Sequence, residues 1–376
     1  MIRLERRVDQ PRWLSLAVPL GSIAVALLVG AVVVALSGND AIATYSRIVD
    51  RGFTSRGAFT ATLTAATPLL FTGLAAATAF RMGIFNIGGE GQLIVGAVGA
   101  SGAGIVLDGR PAALAIPAML VAGAACGAAW AGIAAVLRAW LNTNEIITTL
   151  MLNYLAINLA TYLVFGSKSR WRDLEGSGLM FPKGKAIPEA FEFPSVDFGN
   201  FTVSFGFFIG IAAAIALYVA FRSTRFGFQT RVIGDEPRAA AYAGMRTKRT
   251  ILALLALSGA VAGLGGASDV GDTRHLLDPK ALGQAGYGYA GIVVAALARL
   301  NPLAVVGVSI LMGGLANAGR ALQGPDFPAG LVGTLQGLLL VCTLAGELFA
   351  RYRIRRAGAG AGVVAVAAPP GAGVQG

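Results

Sequence analysis

The chain has 376 residues, 55% hydrophobic and 13% charged, with a net charge of +11. A soluble domain carries roughly twice that share of charge, so the composition excludes an ordinary water-soluble fold. A mean hydropathy of +0.68 and 52 glycines point to helices packed closely in lipid, where small side chains let backbones approach.

In chain order, Arg3, Arg6, Arg7 and Arg12 mark a polar opening segment, 1–12. Uncharged stretches follow at 13–39, 57–80, 91–107, 111–137 and 146–167, then at 198–221, 250–268, 281–298, 300–319 and 327–346. The first is too long, and too closely followed by others, for a cleaved signal peptide. Each is long enough, or nearly so, to cross a bilayer, which gives about ten transmembrane helices. With the N-terminus in the cytoplasm, alternate loops hold 18 Lys/Arg and 7 Asp/Glu, and the others hold 12 of each. One set of loops thus carries the whole net charge, the positive-inside pattern, with both termini cytoplasmic. The basic excess is topological and calls for no nucleic acid.

The expected fold is an all-α polytopic membrane protein, with a membrane domain at 13–349. It has an external loop at 167–200, read equally as a contact surface or a solvated connector, and a basic cytoplasmic loop at 222–249. The tail, 350–376, ends in Gly/Ala/Pro-rich sequence of low complexity and is expected to be disordered. The stretches divide into two five-helix halves of opposite orientation. The third and eighth are short and begin in glycine-rich sequence, a pattern that points to the translocation path of inverted-repeat transporters. Gly123 with Gly127, and Gly259 with Gly263, have the spacing of close helix contacts. Cys126 and Cys342 fall in apolar stretches and read as packing residues.

Four segments stand out. Arg81-Met-Gly-Ile-Phe-Asn-Ile-Gly-Gly-Glu-Gly-Gln92 joins two apolar stretches with almost no polar loop. Backbone broken at membrane depth is tolerated only in protein or beside water. Asn86, Glu90 and Gln92 there either line a path or lock the structure, Glu90 pairing with Arg81. Asn144-Glu145 opens the fifth stretch as a cap and a charge at the positive helix end, and Thr148, Thr149, Asn153 and Asn158 follow inside the span. Gly234-Asp-Glu-Pro-Arg-Ala-Ala-Ala-Tyr-Ala-Gly244 predicts a short cytoplasmic helix, with Pro237 in its first turn and Gly244 at its end. Gly286-Tyr-Gly-Tyr-Ala-Gly-Ile292 precedes Asn301-Pro302. His275, the single histidine, is expected in a solvated external segment, 269–280.

Together these four segments, in this order across 60–349, resemble the permeases of the ribose, nucleoside and branched-chain amino acid branch of ABC importers. Within it they are most similar to guanosine-type nucleoside permeases. The chain departs from the pattern at Glu236, where Asn is usual, and at Asp235. The resemblance implies a permease subunit of an ATP-driven importer in the bacterial plasma membrane, carrying a small polar solute. Nucleosides come first and simple sugars are the alternative. Its implied partners are ABC ATPase subunits that hold ATP and Mg, an extracytoplasmic substrate-binding protein or lipoprotein, and a second permease chain, identical or paralogous.

Path candidates are Phe85, Asn86, Glu90, Gln92, Asn153, Gly286, Tyr287, Gly288 and Tyr289. Coupling candidates are Gly234, Asp235, Glu236, Pro237, Ala240, Ala241 and Gly244. No Walker A segment and no nucleophile–base arrangement is present, so the chain itself is expected to be neither an enzyme nor a holder of a cofactor or metal. An ion-coupled secondary transporter would need a carboxylate deep in a helix. The uncharged stretches contain none, and Glu90 and Glu145 fall near cytoplasmic ends.

Overall fold

The computed structural model describes residues 2–6, 14–166, 168–175, 178, 182–322 and 330–356. Helix α1 (Leu14–Leu36) is followed by α2 (Ala41–Val49), α3 (Ala58–Phe80), α4 (Gly89–Val106), α5 (Ala112–Leu141) and α6 (Glu145–Thr161). After a hairpin of β2 (Ser195–Asp197) and β3 (Thr202–Ser204) come α7 (Phe205–Ser223), α8 (Arg225–Asp235), α9 (Pro237–Tyr242) and α10 (Thr247–Ser268). The chain continues with α11 (Pro279–Ala285), α12 (Tyr287–Leu297), α13 (Pro302–Ala321) and α14 (Leu331–Arg351). Single side chains set several of these starts. Asp40, Asn144, Asp278 and Asn301 accept backbone N–H groups at the first turns of α2, α6, α11 and α13, satisfying donors that a helix cannot satisfy itself.

Among the described residues, six helices are long and apolar enough to cross a membrane: 58–80, 112–141, 145–166, 205–223, 247–274 and 302–321. Helices α1, α4 and α14 add 23, 18 and 21 residues. The stretch 281–298 is not one span. It splits at Gly286, whose φ of +61° ends α11 and leaves α12 with 11 residues, ~16 Å of helix. Conversely, the helix at 247–268 continues through a π-helical turn, Asp269–Arg274. That turn draws Asp269 into the bundle, 3% exposed and paired with Arg274 at 2.6 Å. The expected solvated segment therefore begins later than the composition suggested, and carboxylates do enter a spanning helix.

Helix α3 runs through the centre, buried along nearly its whole length by α10, α12 and α13. Helix α10 lies on α5 and α4, and there the paired glycines meet. A Cβ on Gly127 would lie 2.3 Å from the Gly259 carbonyl oxygen, and one on Gly263 would lie 2.2 Å from that of Gly123. Backbone touches backbone, which is how helices gain dispersion energy where lipid competes for every apolar side chain. Cys126 and Cys342 are free thiols. A Cβ on Gly99 would stand 2.6 Å from the Cys126 sulfur, so that thiol fills space between helices.

The loop at 167–200 is strapped down where it is described. Ile187 N–H donates to the His275 carbonyl at 2.7 Å, Phe193 N–H donates to that of Gly271 at 2.9 Å, and Phe191 is buried. His275 is half-buried beside Glu192, at 3.7 Å, and is not a free loop residue. Residues 167, 176–177 and 179–181 of this loop lie outside the described residues. Of the tail, Tyr352–Arg356 forms β4, antiparallel to β1 (Ile2–Arg6), with Ile2 opposite Arg356. Residues 2–6 and 352–356 therefore lie side by side. The expected disorder at 357–376 lies outside the described residues.

Candidate functional site

Two glycine-rich breaks meet at the centre of the bundle. The first runs from Arg81 to Gly88, between α3 and α4, and the second surrounds Gly286, between α11 and α12. Gly288 sits so close to the start of α4 that a Cβ there would lie 2.2 Å from the Glu90 nitrogen. The Glu90 carboxylate accepts the Gly288 N–H at 2.5 Å. A single carboxylate in the first turn of α4 thus also faces the first turn of α12. It answers the partial positive charge of two helix N-termini at once. Arg81 is not its partner. The Arg81 guanidinium donates to the Leu300 carbonyl at 2.7 Å and lies over the Phe221 ring.

Side chains satisfy the broken backbone. Asn86 Oδ1 accepts from Gly88 N–H at 2.9 Å and from Gln92 Nε2 at 3.0 Å. Asn86 Nδ2 donates to Ser258 Oγ at 2.9 Å, and that hydroxyl donates onward to the Ala75 carbonyl at 2.7 Å. Asn153 of α6 accepts from Gly91 N–H at 2.8 Å and donates to the Ile87 carbonyl at 2.9 Å. Thr72 Oγ1 donates to the Tyr287 carbonyl at 2.9 Å.

The expected path residues therefore fall into two groups. Asn86, Glu90, Gln92, Asn153 and Gly288 are buried and bonded within the chain, with Gly286 and Tyr287 half-buried beside them. Phe85 and Tyr289 are the exposed pair, at 49% and 44%. Sequence reading missed Ser258 and Thr72. A lone hydroxyl in an apolar helix carries no signal of which backbone it meets.

On the face that bears Gly234, α8 turns into α9 with Glu236 at the capping position and Pro237 in the first turn. Gly244, with φ of +70°, follows. Asp235 and Glu236 are exposed. Ala240 is fully buried inside the chain, so it does not offer a surface to a partner. Ala241 and Tyr242 point outward, Tyr242 97% exposed. Beside α9 a groove of about 600 Å³ is lined by Arg225, Phe228, Gly244, Met245, Arg246 and Arg249. Gly234 packs on the first break: a Cβ there would lie 2.9 Å from Met82 Cα and 3.0 Å from the Arg81 oxygen.

Residues 58–344 match the family described as branched-chain amino acid transport system, permease component. The chain is 32% identical to a glucose ABC transporter permease protein of Haloferax volcanii, over 94% of this chain and 93% of that protein. It is 32% identical to the guanosine ABC transporter permease protein of Bacillus subtilis, over 80% of this chain and 84% of the relative. A nucleoside ABC transporter permease protein of Lactococcus lactis is 29% identical, over 84% and 86%. Matched along most of its length and built of membrane-crossing helices, the chain belongs to this family of multi-pass ABC transporter permeases.

Proposed function

We propose that this permease imports nucleosides, driven by ATP hydrolysis on partner ATPase subunits that dock at α9. The observation that carries the coupling is the contact of Gly234 with Arg81 and Met82. It joins the cytoplasmic helix to the break whose far end is the Glu90–Gly288 bond. A push on α9 reaches the centre of the bundle through packed backbone. The basic groove beside α9 supports the docking, since acidic side chains of a partner would be drawn to three arginines.

The proposal includes about ten membrane crossings, in two inverted halves with both termini cytoplasmic. The packing supports inversion. Helix α3 lies on α13 as α10 lies on α5, and α3 lies on α12 as α10 lies on α4. Exchanging the halves thus exchanges these contacts. The pairing of β1 with β4 supports a shared side for the two termini. A substrate-binding protein or lipoprotein outside, and a second permease chain, identical or paralogous, complete the transporter.

Two relatives named for guanosine and nucleosides support the substrate. The glucose permease of Haloferax volcanii, matched over 94% of this chain, supports simple sugars as the second reading. Uptake by vesicles holding the permease, its ATPase and its binding protein separates them. Labelled adenosine or guanosine enters with ATP, and excess glucose does not compete. Uptake of glucose uninhibited by nucleosides overturns the nucleoside reading. ATP-independent uptake driven by an ion gradient overturns the coupling.

A further inference from the structure

We propose that the exposed face of α6 is the surface that an uncharged heteroaromatic solute touches as it crosses; this rests on the nucleoside reading above. Helix α6 and the π turn after it form a 22-residue span, 145–166. Thr149, Asn153, Ala156, Ala160 and Val164 are its buried face. On the opposite face Ile147, Met151, Tyr154, Asn158 and Tyr162 follow at intervals of three and four residues, all exposed, one stripe along the helix. On other spanning helices many of the exposed residues are aliphatic, such as Leu28 and Val32 on α1, Val121 and Ile133 on α5, and Ile215 and Val219 on α7, with Trp140 exposed near the end of α5. Acyl chains accept those side chains. They do not accept an amide, which would lose its hydrogen bonds to water.

Among the described residues, the Asn158 side chain makes one hydrogen bond, donating to the Tyr154 carbonyl at 2.7 Å. The acceptor end of its amide remains for an outside donor. Tyr154 is 59% exposed and Tyr162 is 60% exposed. On the other side of the helix, Asn153 Nδ2 donates to the Tyr289 hydroxyl of the second break at 3.4 Å. On α11, a Cβ at Gly283 would lie 3.0 Å from Ile157, and Gln284 beside it is exposed.

This face also differs from the chain's dry contacts. Where α5 meets α10, glycines let backbone touch backbone. The α6 stripe carries two tyrosines and a methionine and no glycine. It bears no formal charge. Phenol rings stack on flat rings, and amides bond their polar edges, so the occupant that fits is a planar, uncharged, hydrogen-bonding solute such as a nucleobase.

The test uses the assembled transporter with Cys126→Ala and Cys342→Ala. Asn158→Cys, Tyr154→Cys and, as a lipid-facing control, Val121→Cys are treated with a charged methanethiosulfonate, and reactivity is read by mass. A thiol in water ionises more readily than one in lipid, so Asn158→Cys and Tyr154→Cys react about tenfold or more faster than Val121→Cys. Adenosine during turnover slows them. Equal reactivity of all three positions overturns the proposal, because the stripe then faces lipid. So does spontaneous cross-linking of Asn158→Cys between two copies without reaction with the reagent, which makes the stripe a dry interface. Either result with nucleoside uptake intact sinks this inference alone. Fast reaction slowed by glucose and not by adenosine overturns the solute class, together with the nucleoside reading on which it rests.

Discussion

The glycines at the α4–α5–α10 contact and those at the two breaks do opposite work. At Gly96, Gly123, Gly127, Gly259 and Gly263 the absent side chain lets regular helices touch backbone to backbone, and the nearest atoms include no polar side chain. At the breaks, Gly88 and Gly288 leave room for backbone that Asn86, Asn153 and Glu90 then satisfy with hydrogen bonds. The first region is held by shape and the second by polarity. They should fail in different ways when altered.

The largest effect is expected at the shape-held contact. Gly263→Leu forces a side chain into the Gly123 carbonyl and should cost about 3 kcal/mol or more, since overpacking here has only backbone to push against. Thermal unfolding in detergent should show a large fall in Tm. Gly132→Leu, on the same α5 but with open space at its Cβ, should leave Tm unchanged. Equal loss in both variants would break the shape argument.

Next comes the polar break. Asn86→Leu leaves Gly88 N–H and the Gln92 amide without their partner. A loss of about 1–3 kcal/mol is expected for buried polar groups left unpaired. Glu90→Gln keeps an acceptor for Gly288 N–H and removes only the charge between two helix ends, so its loss should be smaller. Wild-type stability in Asn86→Leu would show that water reaches the break and that polarity does not hold it.

A third comparison lies within α9, one residue apart. Ala240→Leu enters a filled interior and should lower Tm by an amount equivalent to about 1–3 kcal/mol. Ala241→Asp lies on the exposed side and should leave Tm unchanged while transport and substrate-stimulated ATPase activity are lost together. Preserved stimulation in Ala241→Asp would remove α9 as the docking element. The smallest effect, with no change in stability, concerns topology. An impermeant thiol reagent on intact cells should label Lys168→Cys and spare Ser223→Cys, both exposed. Equal labelling would reverse the assignment of faces.

Composition determined a great deal, because lipid imposes few choices: uncharged stretches become helices. The four-residue spacing of glycines also read correctly, since one helix turn fixes which residues share a face. The capping residue Asn144, and Pro237 at the start of α9, gave helix starts by chemistry confined to a few neighbouring atoms. What the sequence could not rank was which polar residues face inward. Asn153 and Asn158 lie on one helix with the same side chain, yet the first is bonded to both sides of a break and the second faces out. Arg81 gave no sign that its partner was a carbonyl on Leu300, more than 200 residues away. The end of α10 also eluded composition. A charged turn resembles a loop until Arg274 folds back on Asp269. Local rules fix where helices begin. Only the packing of distant segments decides which polar group finds a partner and which is left for the solute.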